Sequence, residues 1–171
     1  MTDSPDDRRG MVTVEPDGGR RLVFRRSWPD PIEDVWSALT ENERSARWIG
    51  TYEGERGSGA SGTFTMTHEG GEPAGQPTRI VECDPPRRLV LEWTVQTLWR
   101  VELDLRTEGA RTVLVFTQVF RADEAIADVA AGWHWYLDKL DAELSGRPQP
   151  QPAEWDAFFA EVGPAYAPDR S

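Results

Sequence analysis

Few side chains in this sequence can do acid–base or nucleophilic chemistry, and those few stand among apolar neighbours. Two histidines, one cysteine and three tyrosines occur in 171 residues. His68 closes the run "GTFTMTHE" (62–69), where Phe64, Met66 and His68 alternate with Thr63, Thr65 and Thr67. A period of two puts His68 on the apolar face of a strand. An imidazole there can shuttle a proton near neutral pH; the plainer alternative is a strand-end histidine with an ordinary hydrogen bond. Gln118 shares a face with Leu114 and Phe116 in "RTVLVFTQVF" (111–120). Its amide can hold a ligand carbonyl or hydroxyl, or else a backbone group or a tyrosine. Tyr136 needs a partner for its hydroxyl if it is buried, and an interior ligand would supply one.

No stronger constellation is visible. Cys83 lies in a strand-like run and reads as a small buried residue, not a reactive thiol. A single cysteine allows no intrachain disulfide, which suits a reducing cytoplasm. The histidines and the cysteine are too far apart for a known metal-site spacing. There is no Ser/His/Asp arrangement in recognisable context. Glu92, Glu102 and Asp104 alternate outward, to the wrong face for a carboxylate pair. No cofactor and no metal are expected.

Composition narrows the partners. The net charge is -11, which argues against nucleic acid and anionic membranes. The N-terminus has no apolar h-region and no run approaches a bilayer span, so a cytoplasmic protein is expected. Eight tryptophans must line a core or a pocket, because indole is expensive to leave in water.

The elements that position these residues follow from periodicity and punctuation. Residues 1–19 are polar and broken by Pro and Gly, and read as a flexible tail. "RRLVFRRSW" (20–28) predicts a first strand. In "PDPIEDVWSALTENERSARWIG", Asp30 is a candidate N-cap, and Ile32, Val35, Trp36 and Leu39 fall at helical spacing. Thr40 is a candidate cap for a second short helix to about Trp48. "GERGSGASG" (54–62) resembles a phosphate loop only in its glycines and reads as a hairpin connection.

Strands then follow one another. Leu89, Leu91, Trp93 and Val95 share one face, as do Trp99, Val101, Leu103 and Leu105. Short connections such as "TEGA" imply antiparallel hairpins. A long helix is predicted from near Asp123 to just before Gly146, about twenty-two residues or roughly 33 Å. Residues 147–171 begin as a Pro-rich linker and continue as a short amphipathic helix with Trp155, Phe158 and Phe159.

The long helix carries "AAGWHWYLDKL" (130–140). At 100° per residue, Ile126, Val129, Trp133, Tyr136, Leu137, Leu140 and Leu144 form one apolar stripe. Asp138 and Asp141 point away from its centre. His134 and Trp135 fall on the flanks, where a loop, the C-terminal segment or a second copy in a homodimer could cover Trp135. So bulky a stripe needs a concave receptor. A curved antiparallel sheet of six or seven strands, preceded by two short helices after its first strand, supplies one. The class is α+β.

This order resembles the helix-grip fold of the START-like (SRPBCC) superfamily. The pieces "IEDVWSALTENERSARWIG", "RIVECDPPRRLVLEW", "EGARTVLVFTQVF" and "AAGWHWYLDKLDAELSG" resemble the AHSA1-like family, homologues of the activator of heat-shock-protein ATPase. The likeness runs from about residue 21 to 146, within a domain placed at 20–146. It implies a cavity between sheet and long helix. The lining expected from alternation and from the helical stripe is Phe64, Met66, His68, Leu91, Trp93, Trp99, Val101, Leu114, Phe116, Gln118, Trp133, Tyr136 and Leu137. The alternative is that these rings fill the space themselves.

Superfamily members bind hydrophobic molecules, and some are polyketide cyclases or aromatases. The reading adopted is binding of a small hydrophobic ligand without catalysis. A cyclase-type enzyme, with His68 as its one candidate actor, stands second. Family members often show a histidine where this chain has Gln118, which weakens acid–base chemistry there. A chaperone-ATPase co-regulator stands third, because co-chaperones of that name carry an extra N-terminal domain for which the tail before residue 20 is too short.

Overall fold

The computed structural model describes residues 8–94 and 97–166. Its frame is one eight-stranded antiparallel sheet. The strands are β1 (Met11–Val14), β2 (Arg20–Trp28), β3 (Gly50–Gly54), β4 (Ser61–Met66), β5 (Gly75–Asp84), β6 (Arg88–Thr94), β7 (Leu98–Glu108) and β8 (Arg111–Phe120). Their spatial order is β1-β2-β8-β7-β6-β5-β4-β3. The chain therefore lays down β3 to β8 as a meander and closes with β2 alongside β8. Two helices, α1 (Ile32–Thr40) and α2 (Asn42–Ser45), bridge β2 to the far edge at β3.

Alternation locates the inner face correctly. Gln118 pairs with Val101 and Leu22, Phe116 with Leu103 and Phe24, and Leu114 with Leu105 and Arg26. Across a ladder, opposed residues share a face. Leu22, Phe24, Leu114 and Phe116 are all buried. The opposite face carries the carboxylates predicted to point outward. Arg88 donates to both oxygens of Asp104 at 2.8 Å and to Glu102 at 2.9 Å.

α3 (Ala127–Ser145) lies in the concavity. It stops at Gly146, whose φ of 70° is a left-handed cap that a residue with a Cβ adopts at a cost. Its buried residues Ala130, Leu137 and Leu140 join the core with Leu105 and Leu114. At the opposite edge, β3 presses so closely on β4 that a Cβ at Gly50 would stand 2.0 Å from the carbonyl oxygen of Thr65. Only glycine permits that approach.

Four expectations change at the element level. Met11–Val14, placed in a flexible tail, forms β1 against β2, so the sheet has eight strands and not six or seven. Gly10 also donates its N–H to the Tyr166 hydroxyl at 2.8 Å. α1 has no side-chain cap, for Pro31 precedes it instead of Asp30. α2 is a single turn, and Thr40 bonds back to the Trp36 carbonyl instead of capping it. α3 starts four residues after Asp123, which is an exposed partner of Arg121. Val95 lies outside the described residues, as do positions 1–7 of the tail and 167–171 of the C-terminal segment.

After a short turn at Pro152–Glu154, α4 (Trp155–Tyr166) folds back onto α3. Its rings answer what covers the flanks of α3. Trp135 meets Trp155 and Phe158 edge-on at 5.4 Å and 5.0 Å, and His134 meets Phe158 at 5.1 Å. The flank is closed by the chain itself.

The polar side of α3 is buried too. Asp141 accepts the indole N–H of Trp28 at 2.8 Å and an Nη1–H of Arg26. Asp138 accepts from the same guanidinium at 2.9 Å. The helical wheel points these carboxylates away from the centre of the apolar stripe, but β2 reaches round to meet them with a buried arginine. Burial pushes both carboxyls above their usual range, and Arg26 pulls them back.

Candidate ligand cavity

Between the β4–β7 half of the sheet and α3, the core does not close. A cavity of about 600 Å³ remains. Its walls are aromatic: Trp93 and Trp99 from the sheet, Trp133, Trp135 and Tyr136 from α3, and Trp155 from α4. Three of them form a connected face. Trp93 stands 5.9 Å from Trp99 and 6.2 Å from Trp133, each tilted or edge-on. Rings tilted this way leave a slot that smaller, better-nested side chains would fill.

Six of the thirteen residues expected to line a cavity do so: Met66, His68, Trp93, Trp99, Trp133 and Tyr136. The other seven do not reach it. Val101, Leu114, Phe116, Gln118 and Leu137 are sealed in the core, each at most 2% exposed. Phe64 packs against that core and Leu91 is half-buried. All seven are on the expected elements, but α3 packs tightly against the sheet at its β2–β8 side, and the gap opens only towards β4–β6 and the Trp99 end of β7. Alternation identifies a face and says nothing of the gap above it.

Gln118 has a structural partner. Its Oε1 accepts the indole N–H of Trp133 at 2.8 Å. That bond turns the Trp133 ring, whose centroid stands 4.8 Å from Phe116, so that the ring forms the cavity floor. Gln118 thus orients a wall instead of offering its amide to the interior.

The polar chemistry sits together at one end. His68 donates from Nε2 to the Ala46 carbonyl at 2.8 Å. That donor role leaves Nδ1 as an acceptor in the neutral ring. Nδ1 takes a hydrogen bond from Lys139 Nζ at 2.6 Å. Beside this pair the Tyr136 hydroxyl donates to Glu69 Oε1, also at 2.6 Å. Burial and then the Glu69 carboxylate hold the Tyr136 phenol far above its usual range. Burial lowers Lys139, and the charge of Glu69 partly restores it.

Lys139 is the residue that sequence reasoning missed. It is the single lysine of the chain, whose other eighteen basic residues are arginines. It is only 4% exposed. That uniqueness is a signal on the page of the sequence, hidden by its position off the apolar stripe. Glu69, Gln76, Val129, Trp135 and Trp155 also border the cavity without having been expected there. Trp155 enters from α4, which no local pattern can place.

Cys83 lies on β5 away from this cluster. Burial raises its thiol above the usual range, so it is no activated nucleophile. Among the described residues no helix is long and apolar enough to cross a membrane.

A sheet curled around a C-terminal helix, with an aromatic cavity held between them, defines a START-like helix-grip domain. The chain belongs to the family described as Activator of Hsp90 ATPase homolog 1-like protein, whose sequence model matches residues 29–145. No curated protein matches it. Among solved structures it is similar to CalU16 from Micromonospora echinospora, with 28% identity, a TM-score of 0.70 and 91% of each chain covered. It is similar also to the BPP1335 product of Bordetella parapertussis, with 27% identity and a TM-score of 0.72 over 85% of this chain and 84% of that one. DynU16, a protein of the dynemicin biosynthetic locus, shares the fold at 24% identity and a TM-score of 0.63, over 78% of this chain and 49% of its own.

Proposed function

We propose that this protein binds a small, flat, largely apolar molecule between the sheet and α3. The observation that carries the proposal is the cavity of about 600 Å³ walled by five tryptophans. Sites for small organic ligands fall at about 300–1,000 Å³, mostly apolar with a few converging polar groups. His68, Glu69, Tyr136 and Lys139 are such a group.

The test is a titration of intrinsic fluorescence with a panel of polycyclic aromatic compounds, repeated on Trp133→Phe. Saturable quenching in the parent that is much reduced in the variant supports binding at this wall. Absence of saturable quenching across the panel, with no compound retained in native mass spectrometry, overturns it.

A cyclase-like reading of the same cavity is favoured by one observation, the Lys139–His68 contact at 2.6 Å, which places a proton donor and a neutral imidazole against the interior. Product analysis of bound compounds after prolonged incubation decides it. Recovery of every compound unchanged leaves binding alone.

A further inference from the structure

We infer that Lys139 is the seat of an anionic oxygen, so that the ligand is an aromatic molecule bearing a carboxylate or a phenolate. This rests on the ligand-binding reading and names the chemistry of that ligand. Lys139 and Arg26 are deeply buried cations of the fold, each 4% exposed. Their surroundings differ. Arg26 donates to two carboxylates, Asp138 and Asp141, and to the Arg8 carbonyl. Among the described residues, Lys139 Nζ hydrogen-bonds only Nδ1 of His68, a neutral acceptor, and no carboxylate oxygen lies within ion-pair distance of it. Glu69, whose charge it senses, is exposed and holds the Tyr136 hydroxyl.

An ammonium group has three donors. One is directed by His68, and two have no protein partner among the described residues. Lys139 borders the cavity, so those two are available to whatever fills it. Burying a cation without a counter-charge is unfavourable, and an oxyanion supplied by the ligand removes that penalty while taking both free donors. His68 is the positioning residue. Its Nε2–H is fixed by the Ala46 carbonyl, so Nδ1 is held as an acceptor and aims the ammonium. The flat remainder of the ligand lies against Trp93, Trp99 and Trp133.

The probes are 2-naphthoate, its methyl ester, and 2-naphthol, titrated calorimetrically at neutral pH against the parent protein, Lys139→Met and Lys139→Arg. The parent is expected to bind 2-naphthoate at least about tenfold more tightly than the ester, the value of a charge-assisted hydrogen bond. Lys139→Met loses that preference and still binds the ester, and Lys139→Arg retains part of it. With 2-naphthol, the red-shifted absorbance of the phenolate in the complex identifies the phenol as a second source of the oxyanion. Equal affinity for acid and ester in the parent, or an undiminished acid preference in Lys139→Met, overturns the inference while leaving the cavity reading intact. Failure of both acid and ester to bind the parent overturns the cavity reading as well. The acid-to-ester ratio in the parent stands without any variant.

Discussion

Nζ of Lys139, midway along α3, lies 2.6 Å from Nδ1 of His68, just past the end of β4. The contact joins the helix to the β3–β4 edge of the sheet on the opposite side from Arg26, which ties the same helix to β2. α3 is therefore held by a polar contact at each side, one charge-neutralised and one not, and the cavity opens beside the second.

Lys139→Met is expected to stabilise the empty protein at pH 7 by about 1 kcal/mol, as replacements of imperfectly paired buried charges often do. Burial lowers the lysine below its ordinary value of 10.5, so the folded state holds this proton less firmly than the unfolded chain. The penalty is complete at pH well below the folded value and disappears as pH rises past 10.5. Urea unfolding at several pH values should show the gain of the variant shrinking towards alkaline pH. A gain that grows there contradicts the assignment.

His134 should make the fold acid-sensitive. Its Nε2 faces the Asp138 carboxylate at 3.7 Å, which favours the proton there, and its Nδ1 then accepts from the Tyr166 hydroxyl at 2.8 Å. Burial, reinforced by the positive charges of Arg26, Arg8 and Arg9, lowers it to about 3. The unfolded chain takes up a proton near 6.5 that the folded chain refuses until about 3. Stability from this group is present above 6.5 and falls with pH between those limits, by about 3 kcal/mol at pH 4. Asp138 and Asp141, raised by burial, act in the opposite sense; Asp141 is common to both proteins in a comparison with His134→Gln, and Asp138, which lies 3.7 Å from His134 Nε2, is held fixed by repeating the comparison with Asp138→Asn in both. Between pH 7 and 4 the variant should lose markedly less stability than the parent in thermal unfolding.

Arg26→Met is expected to cost about 3–5 kcal/mol, because it leaves Asp138 and Asp141 buried without their counter-charge. Adding Asp141→Leu should recover part of the loss, although Trp28 then loses the acceptor of its indole N–H. Denaturant midpoints of the two single variants and the double variant measure the coupling. Strict additivity would refute a direct pairing.

Trp155→Ala removes the ring that closes the cavity from α4 and covers Trp135. We expect a loss of about 2–3 kcal/mol, below that of a fully buried indole because Trp155 is half-exposed. Any bound compound should dissociate faster while associating at an unchanged rate, which stopped-flow fluorescence separates.

Gln118→Leu should cost about 1–3 kcal/mol by leaving the Trp133 indole N–H without its acceptor. Gln118→Glu preserves an acceptor at the same place and should restore the emission wavelength of Trp133. If Leu and Glu behave alike, the Trp133–Gln118 bond has no part in setting the floor.

Sheet, helix and their facing sides were legible in the sequence because their causes are local. A period of two places Leu114, Phe116 and Gln118 on one side of β8 whatever lies above it. A period of 3.6 places Trp133, Tyr136 and Leu137 on one side of α3. Gly146 ends the helix wherever the helix sits. Those patterns, with the family likeness, determined the helix-grip architecture and six of the cavity's lining residues. The tertiary structure decided the rest. Whether Phe116 or Met66 faces open space depends on how far α3 stands from each strand, a distance summed over every packed residue between them. Whether His134, Asp138 and Asp141 are solvated depends on β2 and α4, which approach from more than a hundred residues upstream and from beyond the linker. The one lysine of the chain was in plain view, but its meaning required seeing that it is buried and that, among the described residues, its ammonium hydrogen-bonds an uncharged imidazole and no carboxylate.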